Sequence, residues 1–173
     1  MKHVLAAAAA MIALGSAPAF ASTTGLSLCK IEVDEAEIAA PDGRAETIGF
    51  MKRVDGQVRV LRATDDGVDE LKAEVGMDLF AQDAVVTGAN GGFDVIFTDN
   101  STVSGVADTC VEISSYFYKP AENKGDFRMR LGRGVVSIAA GRVAKIKGDT
   151  MSVKIRNDTN LAVTGTRLVI RAK

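Results

Sequence analysis

Basic residues recur at short, regular spacing through the last third of the sequence, and this is the pattern most able to do chemistry. Side chains at positions i and i+2 of a β-strand point to the same face. If the strands that carry them are neighbours, they would form a cationic face, and that face needs an anionic complement because like charges opposite one another destabilise a sheet. The candidate anion-binding or partner-binding residues are Arg128, Arg130, Lys145, Lys147, Lys154, Arg156, Arg167 and Arg171.

The formal net charge of −1 conceals a strong asymmetry between the two parts of the chain. Residues 22–123 contain 8 basic and 19 acidic residues, whereas residues 124–173 contain 12 basic and 3 acidic residues. Such an asymmetry indicates a binding role. Either the acidic part folds over the basic face, or an external anion docks there: an anionic lipid, an acidic glycan or an acidic protein. Nucleic acid is not expected, because few aromatic residues interleave the basic ones.

The first 21 residues have the organisation of a cleavable export signal. Lys2 and His3 precede an apolar run, and Ala19-Phe20-Ala21 supplies the small-x-small pattern that favours cleavage after Ala21. The apolar run is too short to span a bilayer stably. Because His3 is the only histidine of the chain, the exported protein would contain none. That excludes histidine-based nucleophilic catalysis and histidine-ligated metals.

Other catalytic signatures are equally scarce. The sequence contains no P-loop and no GxSxG motif, and the Gly132–Gly134 segment, which approximates a GxGxxG motif, predicts a turn. Catalysis would have to rely on carboxylates and lysines alone. We therefore expect a non-enzymatic protein with no cofactor and no metal site.

Cys29 and Cys110 are the only two cysteines. An even number of cysteines in an exported chain predicts a disulfide between them. The alternative to a disulfide is that the two cysteines remain separate thiols. Neither residue belongs to a CxxC motif, so metal-binding and redox-enzyme interpretations are weak.

Apolar residues past position 47 alternate with polar ones, and Asn, Asp and Gly punctuate the runs. Short alternating runs at roughly ten-residue spacing predict an all-β single domain of mostly antiparallel strands: a sandwich, a roll or a short β-solenoid. Residues 69–76 have a helix-friendly composition but are predicted to form the second strand of a hairpin. Residues 22–47 are predicted to be an irregular arm or an initial hairpin, and residues 48–173 the β domain.

Several motifs, taken in order, resemble those of a FecR domain over residues 48–171. The matching segments are Gly56-Gln57-Val58, the run from Gly76 to Gly88, the hairpin from Phe93 to Ser101, Leu131 to Val136, and Val163 to Thr166. Two departures stand out: Asn100 occupies a position where the family has Gly, and Thr164 one where the family usually has Arg. The departure at Thr164 puts any role of that arginine in doubt.

The resemblance implies a bacterial periplasmic β domain. Well-known members are transmembrane regulators whose periplasmic part contacts an outer-membrane transporter. A chain with a cleavable signal resembles instead the stand-alone members of the family. The resulting hypothesis is a periplasmic binding or sensor module that interacts with an envelope or membrane-anchored signalling protein. The alternative is an envelope-binding protein that uses its basic face on anionic lipid or glycan.

Overall fold

A computed structural model describes residues 25–26, 29, 32–33, 46–64, 67–155 and 159–173. The predicted export signal and most of the predicted arm lie outside these ranges. The described residues form 14 β-strands and two short 3-10 turns, Pro120–Glu122 and Val143–Lys145. The all-β prediction is confirmed.

The strands are β1 Gly25–Leu26, β2 Glu32–Val33, β3 Gly49–Asp55, β4 Val58–Thr64, β5 Gly67–Lys72, β6 Asp78–Leu79, β7 Ala84–Thr87, β8 Gly92–Phe97, β9 Thr102–Gly105, β10 Cys110–Lys119, β11 Lys124–Ala139, β12 Met151–Ile155, β13 Thr159–Ala162 and β14 Arg167–Ala172. Strands β10 and β11 span 10 and 16 residues, whereas each of the other described strands spans two to seven. The hairpin predicted to use residues 69–76 as its second strand is present, because β4 and β5 pair antiparallel, but β5 ends at Lys72 and residues 73–76 lie outside it.

Twelve strands form one sheet that curls over along the long strand β11. Residues 127–131 of β11 pair with β10 on one side and β12 on the other, which gives layer 1, in the order β5-β4-β7-β10-β11-β12-β13. Residues 134–139 pair with β9 and β14, which gives layer 2, in the order β14-β11-β9-β8-β3-β6. The shared strand makes the two layers a half-barrel around one core.

The core lies between the inner faces of the two layers. Alternate residues of each strand point inwards, so that Phe93, Val95 and Phe97 of β8 are buried as the period-two pattern predicts. Phe97, Tyr116 and Phe127 form an aromatic cluster with ring centroids 4.5–5.5 Å apart. Burial of this apolar surface is the main force that holds the layers together.

The turn predicted at Gly132–Gly134 is wrong. These residues lie inside β11, where the strand passes from layer 1 to layer 2. Gly134 has a φ of +91°, and a Cβ atom there would lie 2.4 Å from Thr109 Oγ1. Glycine is therefore required to bend a continuous strand, which a sequence pattern cannot separate from a turn.

One pairing departs from the antiparallel rule. β12 runs parallel to β11, with Arg128 beside Ser152 and Arg130 beside Lys154. Residues 140–150, which include the 3-10 turn Val143–Lys145, return the chain to the start of β11. This connection is long enough to allow a parallel pair, whereas the hairpin loops elsewhere are not.

The predicted disulfide between Cys29 and Cys110 is confirmed, with the two Cα atoms 5.7 Å apart. The bond attaches the antiparallel pair β1–β2 to the region where β10 meets β11, because a Cβ atom on Gly132 would lie 2.8 Å from Cys29 Cβ. Closing a loop of 81 residues stabilises the fold by about 4 kcal/mol in the chain-entropy estimate.

Candidate functional site

The structure brings together three of the eight predicted basic residues. Arg128 and Arg130 lie on β11 and Lys154 lies on the adjoining strand β12. The remaining predicted residues lie elsewhere: Lys145 and Lys147 in the connection between β11 and β12, Arg167 and Arg171 on β14 in layer 2, and Arg156 outside the described residues. A continuous ladder of all eight therefore does not form in the part of the chain that is described.

Four strands of layer 1 place polar side chains in one row across the sheet. The cross-strand partners are Glu112 with Arg130, Arg130 with Lys154, and Lys154 with Asn160. Arg130 Nη1 donates to Glu112 Oε1 at 2.9 Å, and the two residues are only 3% and 5% exposed. The carboxylate thus compensates one of the two cations that the parallel register sets side by side.

Arg128 lies one step along β11 on the same face and is partly exposed. Its Nη2 is 3.0 Å from Asp126 Oδ1, and its guanidinium makes two long contacts of 3.5 Å, to Ser152 Oγ and to the Asp149 carbonyl. Hydrogen bonds at that distance are weak. Part of the planar donor fork is therefore available for a stronger acceptor.

These side chains line an open cleft of about 280 Å³ on the outer face of layer 1. The volume lies just below the usual range of small-molecule sites, which is roughly 300–1,000 Å³. The lining contains three cations and no carboxylate, and the other polar groups in it are two hydroxyls and one amide. The lining residues are Ser114, Arg128, Met129, Arg130, Ser152, Lys154 and Asn160.

Ser114 supplies a polar group that the structure leaves unsatisfied. Its Oγ atom is shielded from bulk solvent and makes no hydrogen bond to any residue in the described ranges. The same holds for the second carboxylate oxygen, Oε2, of Glu112. Buried polar groups are ordinarily paired, so an unpaired hydroxyl lining a polar cleft marks a position for a ligand or water oxygen.

The sequence pattern identified the cations of the cleft but missed Glu112, Ser114, Ser152 and Asn160. Each of these residues comes from a different part of the chain from the Arg128–Arg130 pair. The signal that would have found them is the pairing register of β10, β12 and β13 with β11. That register depends on the parallel pairing of β12 with β11, which the local sequence pattern does not predict.

Elsewhere, carboxylates of the acidic part of the chain (residues 22–123) form ion pairs with arginines of the same part. Asp83 is 1% exposed and accepts hydrogen bonds from Arg62 Nε at 2.8 Å and Nη2 at 2.7 Å, while Arg62 stacks over Phe80. On layer 2, a hydrogen bond from the Arg53 guanidinium lowers the pKa of Asp94. Of these three pairs, the Glu112–Arg130 pair alone joins the acidic part of the chain to a predicted basic-face residue, whereas the Arg62–Asp83 and Arg53–Asp94 pairs lie within the acidic part.

Among the described residues, no helical turn is long and apolar enough to cross a membrane. No group of three or more His, Cys, Asp or Glu side chains in those ranges is arranged to hold a metal ion.

The chain matches no family model and no curated protein. A solved structure described as a cell surface anchoring domain shares 31% sequence identity with it, over 39% of this chain and 84% of that one, at a TM-score of 0.34. That overlap covers well under half of the chain. The FecR resemblance thus rests on its motifs alone.

Proposed function

We propose that this chain is an exported, non-enzymatic binding module of the FecR type that recognises an anionic group on a component of the bacterial envelope. The observation that carries the proposal is the cleft of layer 1, where Arg128 and Lys154 from two parallel strands converge with hydroxyl and amide donors. Cations with several nearby donors bind anions more strongly than neutral groups do.

The composition of the cleft favours binding over catalysis. Its lining residues include neither a carboxylate nor a cysteine, and the groups that line it are mainly cations and hydrogen-bond donors, with two serine hydroxyls and the Lys154 amine as the candidate reactive groups. The charges are also pre-positioned on strands rather than on long loops, which lowers the entropic cost of holding a ligand. A binding module needs nothing further.

The disulfide supports a location outside the cytoplasm. Cys29 and Cys110 are joined, and such bonds persist in oxidising compartments such as the periplasm. Together with the predicted export signal, this supports a periplasmic module.

A photo-crosslinking amino acid in place of Asn160 tests the proposal in intact cells. Asn160 lines the cleft on β13, so a bound component should be captured there, and capture should weaken with added salt and with Lys154→Gln. The same crosslinker in place of exposed Val169, on the outer face of layer 2, is the control. Equal capture at the two positions, or none at Asn160, would overturn the proposal.

A second candidate function is direct contact with a membrane-anchored signalling protein through layer 2. Phe50 and Val169 on its outer face are 45% and 64% exposed, and partly buried Ile96 and Ala139 lie between their strands. Apolar side chains on an open sheet face suit a protein partner better than an anion. In the crosslinking experiment this function predicts protein adducts at Val169 that salt does not weaken.

A further inference from the structure

Two strands at the edges of the curled sheet carry charges of opposite sign. We propose that β5 of one copy of this chain pairs antiparallel with β14 of a second copy, with Glu70 opposite Arg167 and Val68 opposite Val169. The two copies would then share one continuous sheet. This inference goes beyond the proposed function, because it uses neither the cleft of layer 1 nor the ligand of that cleft.

Both strands have one side without a neighbouring strand. Among the described strands, β5 pairs only with β4, and β14 pairs only with β11. Strands β4, β7, β10 and β11 lie between them in the strand order, so β5 and β14 of one copy do not pair with each other. An unpaired edge offers free backbone N–H and C=O groups to a strand of another molecule.

On β5 the residues with free backbone groups are Val68, Glu70 and Lys72. The Ala73 N–H donates to the Val58 carbonyl at 3.0 Å, which fixes the side of the strand that bonds to β4. Because backbone groups alternate along a strand, every second residue counted from Ala73 bonds to β4, and the others point to the unpaired edge. The Val68 side chain on this edge is 54% exposed.

On β14 the residues with free backbone groups are Arg167, Val169 and Arg171. The Ala140 N–H donates to the Thr166 carbonyl at 3.1 Å, so every second residue counted from Thr166 bonds to β11 and the others point away from it. Val169 is 64% exposed. Neither arginine forms an ion pair with any residue in the described ranges, so both guanidinium groups are open to a carboxylate of another molecule.

One register matches the side chains of the two edges. With Glu70 opposite Arg167, Val68 lies opposite Val169, and each pair joins two residues whose free backbone groups face each other. Opposite charges and paired β-branched side chains in such positions stabilise an antiparallel pair. A shift of the strands by two residues would instead set Lys72 opposite Arg167. Repulsion between these two cations therefore selects the first register.

The charges also disfavour the pairing of like edges. Two β14 edges in full overlap would set Arg167 opposite Arg171, and two β5 edges would set Glu70 opposite the same residue of the other copy. Like charges directly opposite one another destabilise a sheet. Glu70 Oε1 already accepts a hydrogen bond from Arg59 at the exposed surface. The Glu70–Arg167 pair would therefore add selectivity more than strength.

Association through two different edges runs head to tail. One copy can use its β5 edge and its β14 edge at once, so copies would add to an open chain or close into a ring. The strand overlap is short, since residues 67–70 of one copy meet residues 167–170 of the next. Interfaces of such small area are weak, and we expect a Kd between about 10 μM and 1 mM for each contact.

Sedimentation of the full exported chain over that range of concentrations tests the proposal. The average mass should rise with protein concentration and fall with added salt, because salt screens exposed ion pairs. Glu70→Arg and Arg167→Glu should each weaken the association at least about tenfold, since each sets like charges opposite one another. An equal mixture of the two variants should associate again, because each supplies the charge that the other lacks. A chain with both substitutions should associate as the wild type does.

Cysteine crosslinking checks the register. Val68→Cys and Val169→Cys on separate copies should form disulfide-linked dimers under mild oxidation, because Cα atoms of directly opposite residues lie about 5.5 Å apart in a hydrogen-bonded pair. Val75→Cys mixed with Val169→Cys is the matched control. Val75 is 68% exposed but lies in the turn after β5 and away from its edge. The control mixture should give far fewer linked dimers, and mass spectrometry of the linked peptides identifies the joined positions.

Several outcomes overturn the inference. These are a mass that stays that of one chain up to about 1 mM, charge-reversal variants that associate as the wild type does, or a loss of association that mixing does not restore. Photo-crosslinks at Val169 to a different protein, without self-association, would assign the β14 edge to that protein instead. Adducts of twice the mass of the chain at Val169 come from self-association and are counted apart from captured envelope components. The proposed function depends on capture at Asn160 and survives each of these outcomes.

Discussion

Arg130 points to the outer face of layer 1, yet it is almost fully buried, and its Nη1 donates to Glu112 Oε1 at 2.9 Å across β10 and β11. The cleft is built beside this pair, since Lys154 is the next residue in the same row. A buried ion pair of this kind fixes the positions of its two side chains more than it stabilises the fold. The free-energy cost of desolvating the two charges offsets their attraction.

That relationship predicts unequal effects of single and double substitutions. Glu112→Ala removes the carboxylate from a buried guanidinium and should lower the free energy of unfolding by about 3–5 kcal/mol. Glu112→Leu combined with Arg130→Met replaces both charges with apolar groups of similar volume and should recover most of that loss. Urea denaturation of the three proteins measures it, and a double variant no more stable than Glu112→Ala would contradict the prediction.

Arg62 and Asp83 offer a second test, with a control in the same chain. Arg62→Ala deprives the buried carboxylate of Asp83 of two hydrogen bonds and should cost about 3 kcal/mol or more. Arg53→Ala removes an arginine–carboxylate pair on the exposed surface and should cost much less, because solvent screens that pair. If denaturant melts show equal losses of unfolding free energy in Arg62→Ala and Arg53→Ala, the burial of Asp83 does not make its arginine more important than Arg53.

Gly134 should tolerate no side chain. Gly134→Ala places a Cβ atom against Thr109 in a backbone conformation with positive φ, and should destabilise the fold by about 3 kcal/mol. Gly165→Ala is the matched control, since its Cβ atom would have open space around it. Thermal melts of the two variants compare them directly. A similar melting temperature for both would mean that β11 can bend without glycine.

The buried phenol of Tyr116 should make the free energy of unfolding fall as the pH rises above about 10. Burial raises the pKa of its phenol, which bonds to Asp99 and Thr98. The unfolded chain therefore releases this proton above about pH 10, while the folded chain keeps it, so the stability present below pH 10 is lost as pH rises. Tyr116→Phe should be less stable near pH 8, by about 1–2 kcal/mol, and this gap should narrow by pH 11.

Denaturant melts between pH 8 and pH 11 measure that gap. Thr98→Val is the control, because it removes one hydrogen-bond partner and keeps the phenol. Its difference from the wild type should stay constant over the range. If the difference in unfolding free energy between the wild type and Tyr116→Phe is independent of pH, the phenol is not the source of the loss of stability in alkali.

The sequence by itself determined the class of fold. Period-two alternation decides which side chains face the core, and that local property predicted buried Phe93, Val95 and Phe97 and the hairpin of β4 and β5. The count and compartment of the cysteines predicted the bond between Cys29 and Cys110. These features depend on neighbours along the chain or on only two possible partners.

The tertiary structure alone decided which basic residues act together. Arg128, Arg130 and Lys154 meet because β12 pairs in parallel with β11, whereas Arg167 and Arg171 have the same alternation and lie in layer 2. Gly132–Gly134 extends β11 across both layers, although the same residues would suit a turn. Strand order and register arise from the packing of a whole core, and no local spacing of charges specifies them.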